Sequence, residues 1–154
     1  MLNLIFESIL WASIVSTGLM AGVYFSFSVF VMKALNALPH EIAIASMNSI
    51  NKVILKSGFM PLFFGSCLLA IILIFLGATD TSRLWILSGS SIYLLGMLGC
   101  TLVFNVPLNN QLRDAPLNQQ LKTWRHYLIH WIRWNHLRTI SSLLAFIFYV
   151  IALK

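Results

Sequence analysis

Charged side chains are scarce in this chain of 154 residues, of which 9% are charged and 59% are hydrophobic. A soluble domain carries about a quarter charged residues, so this composition cannot supply a water-solvated surface. The mean hydropathy is +0.87, and no hydrophilic stretch is long enough to fold separately. The sequence therefore predicts one integral membrane domain, residues 1–154, whose main partner is the lipid bilayer.

Acidic residues and cysteines are also few. Four Asp and Glu stand against ten Lys and Arg, which gives a net charge of +6. In a membrane protein the basic residues report the sidedness of the loops, so we expect no nucleic-acid partner. Cys67 and Cys100 lie in separate apolar runs and lack the close spacing of metal sites and dithiol relays, so no metal site is expected from them.

Apolar runs set the predicted fold. A bilayer core about 30 Å thick requires about 20 apolar residues in a helix, and three uncharged runs meet that length. A fourth run, beginning at Thr139, is short and spans the core only if Arg138 snorkels or faces inward. We therefore predict an all-α bundle of four transmembrane helices. The predicted spans are about residues 6–32, 59–79, 84–104 and 128–152.

The two long loops differ in character. Apolar residues in the first loop recur at intervals of four, three and four, which predicts an amphipathic helix over about residues 40–57. These residues are Ala43, Met47, Ile50 and Ile54. In the second loop, Pro107 is expected to end the third helix because proline lacks a backbone N–H. A turn and a short linker are predicted from there to His126.

Glycine and serine at intervals of four predict close helix contacts. Gly18, Gly22 and Ser26 share one face of the first span. Gly89 and Gly96 lie on a similar face of the third span. We expect both faces to be packing surfaces.

Basic residues are concentrated in the two long loops. The first loop holds Lys33, Lys52 and Lys56, the second holds Arg113, Lys122 and Arg125, and the opposite side holds Arg83 and Lys154. By the positive-inside rule the long loops are cytoplasmic. Both termini are then periplasmic, in the inner (plasma) membrane of a bacterium.

The fourth predicted helix carries a polar stripe that packing alone does not explain. Its residues share one face for about six turns: Tyr127, Trp131, Asn135, Arg138, Ser142, Ala145 and Tyr149. An arginine facing hydrocarbon near a helix centre costs roughly 2.5 to 3.5 kcal/mol. We therefore expect this stripe to face the bundle interior or a wet cavity, where Asn51, Asn105 and Asn109 offer further carboxamides on the same membrane side.

Several of these residues form a pattern. Asn-Val-Pro-Leu-Asn at 105–109 is followed by Trp131, Trp134-Asn135 and Arg138-Thr139, and preceded by Asn51 and by a stretch from Gly22 to Leu38 ending Ala37-Leu38-Pro39. In these residues the chain resembles the anthrone-oxygenase-like family of small four-helix membrane proteins. Members in fungal and actinobacterial polyketide pathways are associated with oxidation of an anthrone to an anthraquinone by dioxygen.

The resemblance implies an oxygenase-like activity on a small hydrophobic, aromatic or quinone-like molecule in a cytoplasm-facing pocket. Such a protein must stabilise the anthrone anion, position oxygen and exclude water. Arg138 is then the electrostatic partner of the anion, and Asn135 orients its oxygens. His130 is the candidate base because imidazole titrates near neutral pH, an assignment that does not come from the resemblance. The candidate substrate-binding residues are Asn51, Asn105, Asn109, Trp131 and Trp134.

Other interpretations stay open. The polar stripe equally fits a seam that locks helices together in a non-catalytic subunit or assembly factor. No cofactor is favoured, although His126 and His130 are spaced to ligate haem or a metal in a redox protein. A small transporter ranks lower, because Glu7 lies at the end of its span, away from the mid-membrane position of a coupling acid. The substrate and the oligomeric state, including a homo-oligomer, are left open.

Overall fold

The computed structural model describes residues 2–76 and 80–154, and in these residues the chain forms five long helices and no strand. The predicted all-α class is confirmed. The helices are α1 (residues 2–36), α2 (His40–Ile54), α3 (Phe59–Leu76), α4 (residues 80–113) and α5 (Gln120–Ile151). Residues 77–79, which the sequence places at the end of the second span and in the turn after it, lie outside the described part.

Three helices of the described chain are long and apolar enough to cross a membrane: Asn3–Asn36, Phe59–Leu76 and Ser82–Arg113. These helices indicate a membrane protein. Helix α5, the fourth predicted span, has 32 residues and sufficient length. It is not among the three, because Asn135, His136 and Arg138 lower the hydropathy of its apolar half.

Helices α1 and α4 are continuous but contain wide π turns. In α1 the π turn is Phe27–Val31, and in α4 two such turns are Leu94–Gly99 and Thr101–Asn105. The prediction that the third helix ends at Pro107 was wrong, since α4 continues as a regular helix to Arg113. The π turn immediately before Pro107 offers a reason, because inserted π turns accommodate groups that break the ordinary hydrogen-bond ladder.

Packing places α5 at the centre of the molecule. Helix α5 contacts α1 and every segment of α4, and α3 also contacts α1 and α4. One apolar cluster includes Leu10, Leu73, Ile86 and Tyr149. A second cluster, at the other end, includes Met32, Met47, Leu112 and Trp124. Helix α2 joins only this second end, where the predicted apolar stripe packs on α4 and α5.

The glycine faces are used unequally. A Cβ at Gly96 would overlap the Ser141 side chain of α5, and one at Gly89 would lie 3.2 Å from atoms of Phe148 and Tyr149. A Cβ at Gly22 would meet nothing within 4 Å. Close approach therefore occurs between α4 and α5. On the α1 face it occurs at Gly18, where a Cβ would lie 3.3 Å from Phe146 of α5, and not at Gly22.

Candidate functional site

A cavity of about 510 Å³ lies where α2 and α3 meet α1, α4 and α5. This volume falls in the range of about 300–1,000 Å³ that small-molecule sites occupy. Its polar lining residues are Asn48, Asn51, Lys52, Thr101, Asn109, Asn110, Arg113, Asn135 and Arg138. The remaining walls are mostly aliphatic and aromatic, with Val23, Phe27, Phe63, Phe64, Leu102 and Trp131 among them. A mainly apolar cavity with a few converging polar groups is the usual form of a ligand site.

Arg138 is buried in this cavity, with 7% of its surface exposed. Its Nη2 donates a hydrogen bond of 2.7 Å to Asn135 Oδ1, and its Nη1 lies 3.5 Å from Thr101 Oγ1. Its guanidinium carbon lies 4.4 Å from the ring centre of Tyr24 and 5.1 Å from that of Trp131. The Nε is buried and has no hydrogen-bond acceptor in the described chain.

The charge of Arg138 has no carboxylate beside it. In residues 2–76 and 80–154, the ion pairs are His40–Glu41 and Arg113–Asp114. The charged residues that line the cavity are Lys52, Arg113 and Arg138, all basic. Arg113 donates to Asp114 at 2.8 and 2.9 Å, which holds the pKa of that exposed carboxyl below its usual value. The cavity therefore has a positive potential, strongest at its buried end.

Both polar atoms of the Asn135 side chain are hydrogen-bonded within the protein. Its Nδ2 donates to the Tyr24 carbonyl and to Ser28 Oγ, both at 2.7 Å, while its Oδ1 accepts from Arg138. The π turn Phe27–Val31 begins beside these α1 groups. This network ties α5 to α1 and sets the direction of the guanidinium.

Asn109 holds an aromatic wall in place. Its Oδ1 accepts hydrogen bonds from the Tyr127 hydroxyl at 2.8 Å and from Trp131 Nε1 at 2.9 Å. The Trp131 ring also lies against Phe27, with ring centres 5.7 Å apart. The cavity wall at this point is therefore held by an indole whose orientation is fixed.

Asn51 supplies a second donor to the cavity. The side chain lines the cavity and lies beside Tyr127. Its Nδ2 is buried but has no acceptor at hydrogen-bonding geometry in the described residues. Buried donors are normally paired, so Asn51 Nδ2 and Arg138 Nε are two donors in one cavity that a ligand could satisfy.

Three of the predicted site residues do not line the cavity. Asn105 is buried against α5, where its Nδ2 lies 3.4 Å from the Trp131 carbonyl oxygen. Trp134 stacks on Phe104 with ring centres 3.7 Å apart. His130 is half-buried on another side of α5, with its ring centre 4.2 Å from that of His126. In the described part of the chain, no group of three His, Cys, Asp or Glu side chains could hold a metal ion.

Tyr24 and Thr101 also belong to the site, although neither was predicted from the sequence. Tyr24 contributes a carbonyl to Asn135 and a ring to Arg138, and Thr101 lies next to the guanidinium. Tyr24 lies between Gly22 and Ser26, which the sequence indicates only as a packing face, so its contact with Arg138 was not predicted. Thr101 lies four residues before Asn105, a spacing that could have placed it beside the predicted polar groups.

The chain matches a known protein family. The model of a family described as Anthrone oxygenase matches residues 52–148. The matched segment contains α3, α4 and nearly all of α5, and every cavity residue from Lys52 to Arg138. No curated protein and no solved structure matches the chain.

Proposed function

The chain belongs to the anthrone oxygenase family, and we propose that it is a membrane-bound oxygenase-like enzyme that acts on a small hydrophobic aromatic or quinone-like molecule. The observation that carries this proposal is Arg138, a buried cation that faces a ligand-sized cavity with no carboxylate beside it. Burying a charge is costly unless a partner compensates it. A bound organic anion would provide that partner.

An anthrone fits this requirement because its methylene group is acidic. Loss of one methylene proton gives an anion whose charge is delocalised onto the ring oxygen. Dioxygen then oxidises the methylene carbon to a carbonyl, one oxygen atom entering the anthraquinone and the other leaving as water. The anthrone anion supplies all four electrons, so the balanced reaction consumes one dioxygen and needs no separate reductant.

The side chains have distinct tasks in this proposal. Arg138 stabilises the anionic oxygen, which favours the reactive form of the substrate. Asn135 orients the guanidinium, and Asn51 donates to a second oxygen of the ligand. Asn109 acts through Trp131, whose buried indole it holds against Phe27 and Arg138 at the cavity wall. The described cavity lining holds no His, Asp or Glu, so the proton passes to water at the exposed rim beside Lys52.

The membrane arrangement is part of the proposal. Helix α5 would form a fourth span, because packing against α1 and α4 shields its polar face from lipid. The loops at residues 37–58 and 114–119 would lie in the cytoplasm, as their basic residues favour, and both termini in the periplasm. The rim of the cavity would then face the cytoplasm.

A second candidate is a non-catalytic membrane subunit. It is favoured by Asn135, whose side-chain hydrogen bonds are all made within the protein. In that case the polar stripe would serve only to lock α5 against α1 and α4. The two unpartnered donors, Arg138 Nε and Asn51 Nδ2, favour the ligand site instead.

The deciding experiment supplies 1,8-dihydroxyanthrone to the purified protein in lipid nanodiscs under air. Anthraquinone formation, followed by absorbance, should exceed the spontaneous rate in empty nanodiscs, with one dioxygen consumed per anthrone. A rate equal to that of empty nanodiscs would favour the non-catalytic subunit.

A further inference from the structure

One wall of the cavity consists of exposed apolar side chains. Phe64 and Leu102 line the cavity, and each is 57% exposed. Val106 also lines it and is exposed. Phe64 belongs to α3 and the other two to α4, which are both candidate membrane spans. Apolar side chains exposed on such helices face lipid.

The two helices that carry this wall separate beside it. Helix α3 packs mainly on residues 80–99 of α4. Leu102 and Val106 lie beyond that contact, toward the end of α4 that carries Arg113. Phe64, Leu102 and Val106 thus line the cavity where the contact between these two apolar helices has ended.

We propose that the gap bounded by Phe64, Leu102 and Val106 is a lipid-side entrance, through which the ligand passes from the bilayer into the cavity. This inference rests on the proposed function only in requiring that the cavity binds a small hydrophobic ligand. It adds the source of that ligand, which is the membrane and not the cytoplasm. The ligand must therefore be soluble in lipid while it is neutral and carry an acidic group that ionises once it meets Arg138.

The depth of the buried cation excludes a phospholipid as the ligand. The Arg138 guanidinium lies next to Thr101, which precedes Arg113 by twelve residues, or about 18 Å along a helix. Arg113 and Lys52 mark the exposed rim. A phospholipid would place its charge at the rim and its chains at depth, whereas this cavity has at depth a cation with no carboxylate beside it. A compact ring system with an acidic oxygen on its edge matches this order.

The test follows binding of 1,8-dihydroxyanthraquinone, an oxidised probe that cannot turn over, to the whole protein in phosphatidylcholine nanodiscs. Leu102→Trp narrows the gap. Leu95→Trp is the matched control, because Leu95 is an exposed leucine of the same helix that does not line the cavity. Asn110→Trp obstructs the polar rim instead.

An entrance is recognised by rates and not by affinity. Leu102→Trp should slow both association and dissociation of the probe by about one decade and leave Kd unchanged. Leu95→Trp should bind as the parent does, and Asn110→Trp should leave the association rate at the parental value. When the lipid content is raised at constant total probe, the probe is diluted within the bilayer. The association rate should then fall in proportion to the number of probe molecules per lipid.

Other results overturn the inference. Slowing of association by Asn110→Trp alone would show entry from water at the rim. A changed Kd in Leu102→Trp that comes from dissociation alone, with a parental association rate, would show that the new indole merely fills the cavity. Either result leaves the proposed function standing. Failure of the parent protein to bind the probe would instead remove the proposed function, and the entrance with it.

Discussion

Arg138 Nη2 donates a hydrogen bond of 2.7 Å to Oδ1 of Asn135, one turn earlier in the same helix. Because the Asn135 nitrogen is held by α1, this bond makes the direction of a buried guanidinium depend on how two helices pack. The cation is oriented before any ligand arrives. Preorganised charge of this kind is the principal means by which enzymes stabilise anions.

Asn51 and Asn105 should respond differently to truncation. Asn51→Ala removes a donor that lies beside Tyr127 without a hydrogen bond of ordinary geometry, so the melting temperature should fall little. Affinity for 1,8-dihydroxyanthraquinone should fall by about tenfold, the equivalent of one hydrogen bond of about 1.4 kcal/mol. Titration of the probe alongside thermal unfolding checks both.

Asn105→Ala is the comparison for Asn51→Ala. It removes a contact between α4 and α5 outside the cavity, so it should lower stability by about 0.6 kcal/mol with little change in affinity. If Asn51→Ala lost stability and kept its affinity, Asn51 would belong to the packing of α2 and not to a ligand site.

Gly96→Ala should weaken the contact between α4 and α5. The added Cβ would overlap the Ser141 side chain, and overpacking of this kind costs about 1–3 kcal/mol. Gly22→Ala is the control, because its Cβ meets nothing. Unfolding in denaturing detergent should show a loss for Gly96→Ala only, relieved by adding Ser141→Gly. Equal stability of the two alanine variants would mean that α4 and α5 are less closely packed at Gly96 than the structure shows.

The sidedness of the chain can be read with fused reporters. A periplasm-dependent reporter joined after Lys154 should be active, and one inserted near Leu117 should be inactive, because basic residues retain the long loops in the cytoplasm. A reporter that works only in the cytoplasm should give the opposite pattern. If the reporter near Leu117 were active in the periplasm, the rim of the cavity would open to that side.

His130 should be dispensable for anthrone oxidation. Its ring lies beside His126 and outside the cavity lining, so His130→Gln should retain the parental rate and pH profile. The measurement is anthraquinone formation across the neutral pH range. A lower rate of His130→Gln, together with a changed dependence of that rate on pH, would identify His130 as the base despite its position.

Much of the fold follows from the sequence because apolar run length and helical period are local properties. Three spans, the amphipathic α2 and the inward face of α5 all depend on spacing within one segment. The end of α4 could not be predicted in this way, because a π turn at Thr101–Asn105 allows the helix to continue through Pro107. Sequence period alone gives no sign of such turns.

For the site, the sequence predicts only which residues share one face of a helix. Spacing correctly brings Trp131, Asn135 and Arg138 together, and they line one cavity. It could not separate Asn109, which reaches that cavity, from Asn105, which is covered by α5. The limits of the cavity depend on how far α2 and α3 stand from α4, and that distance is set by packing between distant segments.

The rate of anthrone oxidation by Arg138→Gln tests the central claim most directly. Measured in nanodiscs against the parent and against Arg133→Gln, which removes an exposed arginine of the same helix outside the cavity, the rate should fall by about 10²–10³-fold. Arg133→Gln should match the parent. Folding should persist in Arg138→Gln, because an uncompensated buried charge has been replaced by a neutral group. A folded Arg138→Gln protein that forms anthraquinone at the parental rate would contradict the claim that this cation stabilises the reacting anion.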